Sequence, residues 1–443
     1  MKKILLEIKH SINKRIGNAI ESISCRLYYH SKKNSWGHCL YAMNNMVLRC
    51  VSFVPFEVVS HHVYAKSHLT SSIIPLITNR VGYTSKLTYE LEPLKKELIS
   101  VPMQDIFIYK HEGVRIQGNS DFILNVKEKC VINDFCYNMN DRYVMFDGLL
   151  LRLKNNVAVL RNDGGIGKCR YLKSGIMLSG KFSCNYYHEL YEILIKLLVF
   201  NRINISKDAP LIIDEIVMKI DSFKKIFEIL NETQRDIITI GEKEIVEFGT
   251  LYSLSAVNSI APHYRDITDP DHLFGFVFDC HLTLQMRDKL LLFKSNLATP
   301  KRIFLTRKST KKRHYNEFEV WGILKEYGFE VVAPETYTFC EQMALFNNAD
   351  YIVGGSGAAF TNLLFCHSGC KVICFRSIRN YSPIFSTIAN IVDVKMRYLA
   401  GISDSTVDLH ADYIVSTDKL KKMIDYNAVS YTHLRAHETP EHL

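Results

Sequence analysis

The sequence predicts an α/β protein in which two α/β units follow a β-rich region and a basic N-terminal helix. Three observations support this prediction. The chain has 443 residues, which is too long for one ordinary core. Its hydrophobic content of 47%, with only 21 Gly and 11 Pro, excludes disordered and low-complexity classes. From about residue 176 onward, strand-like and helix-like segments alternate, as in a parallel sheet covered by helices.

Residues 1–40 are predicted to form a basic amphipathic helical segment. Residues 1–33 contain eight Lys or Arg and two Glu, which supplies +6 of the formal net charge of +9. Apolar residues recur there at spacings of three and four, the period of a helix: Ile4, Leu5, Ile8, Ile12 and Ile16. Such a helix either contacts an anionic membrane surface or packs on the protein body with a solvated basic face.

The segment lacks the apolar core of a signal peptide, and no run of 18 apolar residues occurs in the chain. We therefore expect a cytoplasmic protein. Under the first of the two interpretations, residues 1–33 make a peripheral contact with the inner face of the plasma membrane.

Residues 41–175 are predicted to be β-rich. Short apolar runs are separated by turn-forming pairs such as Asp147-Gly148 and Asn155-Asn156. Strands are expected at 106–109, 114–117, 143–146, 149–153 and 157–160. Residues 176–295 then read as the first α/β unit, with helices at 185–200 and 222–230 and strands at 211–213 and 237–240.

Residues 296–428 are predicted to form the second α/β unit. Strands are expected at 302–306, 329–332, 351–353 and 371–375, and helices at 316–327, 338–348 and 358–365. Residues 429–443 do not continue this pattern. They resemble a translated sequencing-adapter read-through, so we expect them to be a non-native tail.

The carboxyl ends of the second unit's strands carry the clearest binding chemistry. Ligands of open parallel sheets bind beyond these ends. There, Arg307 and a basic run through Arg313 lie near a turn, Gly354 to Gly357, that opens into a helix. Backbone N–H groups at a helix start suit an anion such as a diphosphate, without a metal. The alternative is a tight turn beside a solvated basic loop.

Charge is concentrated rather than spread. Residues 301–314 carry +7, so the chain outside this segment, residues 1–33 and the tail carries −3. A slightly acidic body argues against a nucleic-acid groove.

An ordered series of motifs resembles glycosyltransferase family 61, the capsular-polysaccharide type. Upstream, residues 185–188 (Asn-Tyr-Tyr-His) and Glu192 resemble the family's N-Y-x-H helix. The resemblance spans roughly residues 180–376. Its further pieces are Thr306-Arg307, Arg313, Asn316 to Glu319, Tyr327 to Phe329, Pro334-Glu335, Glu341-Gln342, Phe346, Ala349-Asp350, Gly354 to Ala359 and Asn362.

The resemblance implies a GT-B-like fold, two Rossmann-like domains facing a cleft, and an inverting transferase that is generally metal-independent. The partners would be a nucleotide sugar and a glycan or lipid-linked glycan acceptor, with no cofactor and no nucleic acid. Residues 176–295 would be the acceptor domain and 296–428 the donor domain. By position, the residues that line or support the donor site are Arg307, Arg313, Asn316, Glu317, Glu341, Gln342, Gly355, Ser356, Gly357, Ala358 and Asn362.

One residue departs from the family pattern. Family members often have His in the His-Gly-Ala triplet, where this chain has Ser356. A hydroxyl can bond a phosphate or a ribose, but it does not carry a proton near neutral pH.

Inverting transfer needs a base that takes the proton of the acceptor hydroxyl. His188 and Glu192 lie four residues apart on one predicted helix face, and Asp163 is a third candidate. The alternative is that His188 and Glu192 are both structural.

The sequence thus predicts a bacterial glycosyltransferase of capsular or cell-surface polysaccharide biosynthesis. The alternative is a catalytically decayed transferase fold that binds a glycan or a nucleotide.

Overall fold

The computed structural model describes residues 53–68, 71–94, 98–133, 150–154, 157–161, 169–205, 207–258, 276–307, 312–378, 380, 382–403 and 411–436. The predicted basic helix at residues 1–40, the strand predicted at 143–146 and Asp163 lie outside these ranges. The described part of the chain is an α/β structure built on two main sheets.

The first sheet is mixed and has eleven strands among the described residues. Its strands are β1 (Phe53–Val59), β2 (Ser72–Ile77), β5 (Ile106–Gln117), β6 (Ile123–Asn125), β7 (Cys130–Ile132), β8 (Leu150–Lys154), β9 (Val157–Arg161), β10 (Arg170–Leu178), β11 (Leu211–Asp214), β12 (Ile237–Ile240) and β13 (Ile245–Leu254). Their order across the sheet is β12-β11-β10-β13-β5-β6-β7-β1-β9-β8, and β2 pairs with β5. A separate pair is formed by β3 (Val81–Ser85) and β4 (Leu98–Pro102).

The β-rich region and the first α/β unit share this sheet. Strands β10 to β13 pair parallel with one another, whereas β13 pairs antiparallel with β5 on its other side. Nine residue pairs join β13 to β5, from Ile245–Gln117 to Leu254–Ile108. The boundary expected at residues 175/176 therefore falls inside β10. The runs expected at 106–109 and 114–117 are one twelve-residue strand.

The helices that accompany this sheet are α1 (His61–Ser67), α2 (Tyr186–His188), α3 (Leu197–Phe200), α4 (Glu215–Lys219), α5 (Asp221–Leu230) and α6 (Cys280–Leu291). The first of them packs on the antiparallel pair β2 and β5. The helix expected at 185–200 is continuous but irregular. Between α2 and α3 it passes through a π-helical turn, Glu189–Ile193, and a 3₁₀ turn, Leu194–Lys196. Single π-helical turns occur frequently at functional sites.

The second sheet has five parallel strands in the order β15-β14-β16-β17-β18. They are β14 (Arg302–Leu305), β15 (Glu330–Val332), β16 (Tyr351–Gly355), β17 (Lys371–Ser377) and β18 (Lys395–Gly401). Helices α7 (Glu317–Glu326), α8 (Phe339–Asn348), α9 (Ile384–Ile391) and α10 (Thr417–Ala436) accompany them, with 3₁₀ helices at Pro334–Thr336 and Ala358–Phe365. The chain moves outward from β14 to β15 and then returns to β16 on the other side. The strand order thus reverses between β14 and β16, where open α/β sheets bind ligands.

The segment around β3 makes buried polar contacts with both units. Arg80 pairs with Asp279 of the first unit at 2.9 Å and also donates to the carbonyl of Val257 at 2.5 Å. In the strand that follows Arg80, Ser85 donates its hydroxyl to Ser386 of α9, in the second unit, at 2.9 Å. A segment N-terminal to the first α/β unit therefore links the two units.

The helix that follows β14 buries Val320, Ile323 and Leu324, whereas Phe318 is 89% exposed. Arg302 lies at the start of β14, where it donates to the carbonyl of Tyr327 at 2.6 Å, one strand length from Arg307.

Candidate active site

A cleft of about 1100 Å³ lies between the two units. The first unit contributes the residues that start α2 and α5, Cys184 to Tyr186 and Ile220 to Phe223, together with Lys225. The second unit contributes the carboxyl edge of its sheet: Leu305 to Arg307, Pro334 to Cys340, Gln342, Gly355, Gly357 to Ala359 and Asn362. The cleft thus lies at the switch point of the second sheet.

Arg307 is the cation that the end of β14 presents to this cleft. Its side chain is 8% exposed, and its guanidinium donates to the carbonyls of Ser356 at 2.7 Å and Lys312 at 3.1 Å. Glu317 holds the same strand end, because its carboxylate accepts from the Arg307 backbone N–H at 3.1 Å and from the Thr306 hydroxyl. The guanidinium is therefore fixed before any ligand arrives.

The glycine-rich turn makes room for this arginine. A Cβ built on Gly357 would collide with the Arg307 guanidinium, and one on Gly355 would lie 2.6 Å from Arg307 Cδ. Arg307 therefore occupies much of the space that the missing side chains of Gly355 and Gly357 leave.

Two helix starts of the second unit face the cleft, and they differ in one respect. The start of α8 is closed by a capping box in which Thr338 and Glu341 satisfy each other's backbone N–H groups. The 3₁₀ helix that begins at Ala358 has no side-chain cap. Its first N–H groups are the ones that an anion beside Arg307 would meet.

Ser356 does not line the cleft. It is 6% exposed, its backbone N–H donates to the carbonyl of Phe375 at 2.7 Å, and its own carbonyl holds Arg307. Its hydroxyl contacts the buried thiol of Cys374, whose pKa is raised to about 12, chiefly by burial. The side chain at the family's His position therefore points away from the cleft in this chain.

Three of the expected donor residues support the site without lining it. Asn316 exchanges two hydrogen bonds with the backbone of Val415, at 2.8 and 3.0 Å. Glu317 holds the end of β14, and Glu341 belongs to the capping box of α8. The two bonds from Thr338 lower the pKa of the Glu341 carboxyl.

Arg313 has an unusual backbone and lies beside Arg307 rather than in the cleft. Its φ of 59° is in the left-handed region, which costs energy for a residue with a Cβ. Burial, and then the charge of Arg307, lower the pKa of its guanidinium. Arg313 therefore adds positive charge behind the turn.

Six of the eleven expected donor residues do line the cleft: Arg307, Gln342, Gly355, Gly357, Ala358 and Asn362. Two of them are already hydrogen-bonded to each other. The Asn362 side-chain amide donates to Gln342 Oε1 at 3.0 Å and accepts from the hydroxyl of Tyr186 at 2.6 Å.

Two of the candidate bases, His188 and Glu192, contact each other beyond the cleft wall. His188 Nδ1 and Glu192 Oε1 are 2.5 Å apart, and both side chains are largely buried. Neither lines the cleft, although Asn185 and Tyr186 directly before them do. The third candidate, Asp163, lies outside the described residues.

Two carboxylates of the cleft wall were not among the expected site residues. Asp221 opens α5 from the first unit, and Glu335 follows β15 in the second. Both are exposed. The sequence feature that could have identified Glu335 is its position at the end of a predicted strand. For Asp221 the sequence offers only a weaker indication, an acidic residue in the first turn of a helix.

Two further carboxyls are buried close to the His188–Glu192 pair. Asp214, the last residue of β11, accepts from the Ser179 hydroxyl at 2.8 Å and from the backbone of Gly180 at 3.1 Å. Glu189, in the π-helical turn, is 1% exposed, and neither of its oxygens has a hydrogen-bond partner among the described residues. Burial, and then the charge of Asp214, raise the pKa of Glu189 well above its ordinary value.

A family model described as "Glycosyltransferase 61" matches residues 68–373. The match covers more than two thirds of the chain. The chain belongs to glycosyltransferase family 61. Its membership supports glycosyltransferase activity, with a nucleotide-sugar donor and a glycan acceptor in general terms. No curated protein matches the sequence.

The described residues contain no group of three or more His, Cys, Asp or Glu side chains placed to hold a metal ion. Within the same residues, no helix is both long enough and apolar enough to span a membrane.

Proposed function

We propose that this family 61 member is an inverting, metal-independent glycosyltransferase with a GT-B-like arrangement. It moves a sugar from a nucleotide donor to a glycan acceptor in bacterial capsular or cell-surface polysaccharide biosynthesis. The observation that carries the proposal is the cleft, in which a fixed arginine and an uncapped helix start face residues of the other unit.

The diphosphate of the donor binds at Arg307 and the start of the 3₁₀ helix Ala358–Phe365. An arginine fixed by protein carbonyls is preorganised for the charge that develops on the leaving diphosphate, which lowers the barrier to transfer. Cation and backbone N–H groups together take the role that a divalent ion has in other transferases. The sugar and ribose then lie toward the segment Pro334 to Thr338.

The acceptor lies on the first-unit side, along the starts of α2 and α5. His188, oriented by Glu192, is the proposed base, and it draws the acceptor hydroxyl proton from the end of the cleft next to Asn185. Asp221 is a second candidate for the base because its carboxyl lines the cleft directly. A pH–rate profile of His188→Ala and Asp221→Asn separates them, since the variant that lacks the base loses the acidic limb, in which the rate falls as the base is protonated.

Arg307→Ala tests the donor site. Isothermal titration with UDP, GDP, ADP and dTDP identifies the nucleotide that the wild type binds. The variant is expected to bind it at least about 100-fold more weakly, because a buried charge-assisted contact to phosphate is lost. The matched control is Arg302→Ala, an arginine at the other end of the same strand, which should bind like the wild type. Equal affinity of Arg307→Ala and the wild type would contradict the proposal.

The decayed-fold alternative makes a different prediction for the same samples. Binding of a nucleotide without hydrolysis or transfer of any matching sugar nucleotide would favour it. Ser in place of the family's His at position 356 does not by itself favour decay, because Ser356 does not line the cleft of this chain.

Membrane contact is proposed from the sequence of residues 1–33 alone. The +6 charge of this segment is expected to bring the protein down with vesicles containing phosphatidylglycerol, and not with phosphatidylcholine vesicles. Deletion of residues 1–33 should abolish cosedimentation. Unchanged cosedimentation of the deletion variant would exclude this contact.

A further inference from the structure

A chain of three hydrogen bonds crosses the floor of the cleft from one unit to the other. The Tyr186 hydroxyl in α2 donates to Asn362 Oδ1 at 2.6 Å. Asn362 Nδ2 donates to Gln342 Oε1 at 3.0 Å, and Gln342 Nε2 donates to the Tyr337 carbonyl at 3.1 Å. All four residues line the cleft.

The direction of this chain is determined by its last member. A backbone carbonyl can only accept, so Gln342 must present its NH₂ to Tyr337 and its oxygen to Asn362. Asn362 must then present its NH₂ to Gln342 and its oxygen to Tyr186, which leaves the phenol as the donor. Burial raises the pKa of the Tyr186 phenol, which keeps it protonated, in agreement with this direction.

The side-chain amides of Asn362 and Gln342 therefore bond to protein groups on both sides. By family resemblance both were expected at the donor site, and both do line the cleft. Their bonds instead link two segments that the reaction has to bring together. Tyr337 belongs to the segment that follows β15 on the donor side, and Tyr186 precedes His188 by two residues on the acceptor side.

We infer that Tyr186, Asn362 and Gln342 are positioning residues that set the distance between the donor segment and the helix carrying the proposed base. The inference rests on the proposed function. The three side chains act as one unit, because Asn362 cannot satisfy Gln342 without turning its oxygen toward Tyr186. Loss of either end leaves the middle amide without a partner in a buried place and releases the other end.

A double-mutant cycle tests this inference. Tyr186→Phe removes the donor at one end, and Gln342→Ala removes the acceptor and donor at the other. Among the described residues, Tyr186 and Gln342 are linked by hydrogen bonds only through Asn362. Each single variant is expected to lower the kcat of sugar-nucleotide hydrolysis on the order of tenfold, the effect of one misplaced positioning contact. The double variant should be no more than about twofold slower than the slower single variant.

Independent structural roles would instead multiply, giving a loss on the order of 100-fold in the double variant. That result would overturn the inference. The control for Tyr186→Phe is Tyr187→Phe, which removes the neighbouring buried hydroxyl. That hydroxyl has no hydrogen-bond partner among the described residues, so its loss should leave kcat unchanged.

Binding measurements distinguish failure of the inference from failure of the proposed function. Tyr186→Phe should keep the wild-type Kd for the nucleotide found among UDP, GDP, ADP and dTDP within about twofold, because the donor half is intact. If the wild type binds none of these and hydrolyses no matching sugar nucleotide, the proposed function fails. If the wild type is active and the two variants are additive, only the inference fails.

Isosteric variants guard against loss of folding. Asn362→Asp can still accept from Tyr186 but cannot donate to Gln342, and Gln342→Glu can accept from Asn362 but cannot donate to Tyr337. Both are expected to keep the thermal unfolding midpoint within a few degrees and to lower kcat as the truncations do. Wild-type kcat in both would overturn the inference.

Discussion

The two sheets differ in the buried ionisable groups at the carboxyl ends of their parallel strands. In the first sheet these groups are carboxyls: Asp214 ends β11, and Glu189 lies beside it. In the second sheet they are guanidinium groups: Arg307 follows β14, and Arg376 lies near the end of β17 at 2% exposure. Similar α/β architecture therefore carries two edges of different chemistry, and each edge can be broken separately.

The largest effect is expected at the acidic edge. Asp214→Ala removes an acceptor used by the Asn119 backbone N–H at 2.6 Å, and by Ser179 and Gly180. Buried donors left without a partner cost about 1–3 kcal/mol each. We expect the free energy of unfolding in urea to fall by about 3 kcal/mol or more.

The arginine edge should be untouched by this change, so the folded fraction of Asp214→Ala should bind nucleotide with the wild-type Kd. Asp288→Ala is the control, because Asp288 is exposed and its ion pair with Arg287 is worth under about 1 kcal/mol. A loss below about 1 kcal/mol for Asp214→Ala would mean that the acidic edge is not held together by this carboxylate.

The second effect is expected at the arginine edge. In Gly357→Ala the new methyl group would occupy the place of the Arg307 guanidinium. The obstructed atom is at the end of a flexible side chain, so the fold should survive with a displaced arginine. Titration with the nucleotide that the wild type binds should show a Kd raised on the order of 10- to 100-fold.

Gly322→Ala is the matched control for this substitution. Nothing lies within 4 Å of a Cβ built on Gly322, which is in the interior of α7. This variant should bind as the wild type does and gain about 0.5–1 kcal/mol of stability from reduced backbone entropy. If Gly357→Ala binds the nucleotide with the same Kd as Gly322→Ala, the side chain of Arg307 does not require a glycine at position 357.

The difference between the sheets also decided what could be predicted from the sequence. In the second unit each strand is a short apolar run followed by a helix, and the predicted strand at 351–353 became β16, Tyr351–Gly355. The first unit was harder, because β13, Ile245–Leu254, pairs on one side with a parallel neighbour and on the other with β5. Pairing between residues more than a hundred positions apart leaves no local pattern in the sequence.

The candidate site divides in the same way. The place of Arg307 in the site was predictable because it follows a predicted strand, and the carboxyl end of that strand lies at the same sheet edge as the glycine turn. The bonds of Asn362 and Gln342 were not, since their partners come from separate elements and one comes from the other unit. The approach of Arg307 to Gly357 is likewise a tertiary contact across 50 residues. Motif spacing identifies which residues are near a site, but the contacts decide which of them a ligand meets.

The last prediction uses pH to sharpen the comparison at Glu189. Its carboxyl pKa is raised in the folded protein, by burial first and by Asp214 second. Between the unfolded pKa near 4.5 and the folded value, the unfolded chain releases this proton while the folded chain keeps it. The folded state therefore binds more protons, and stability falls as the pH rises through this window, by about 1.4 kcal/mol for each pH unit.

Glu189→Gln keeps the shape of the side chain and removes the titration. Unfolding free energies measured from pH 4.5 to 8 should fall less steeply for this variant than for the wild type, with the difference growing as the pH rises. Glu228→Gln, on the exposed face of α5, should follow the wild-type curve. Parallel curves for the wild type and Glu189→Gln would contradict the prediction, because they would show that folding does not raise the pKa of the Glu189 carboxyl. A steeper fall in the wild type would make the acidic edge a pH-dependent element of the fold.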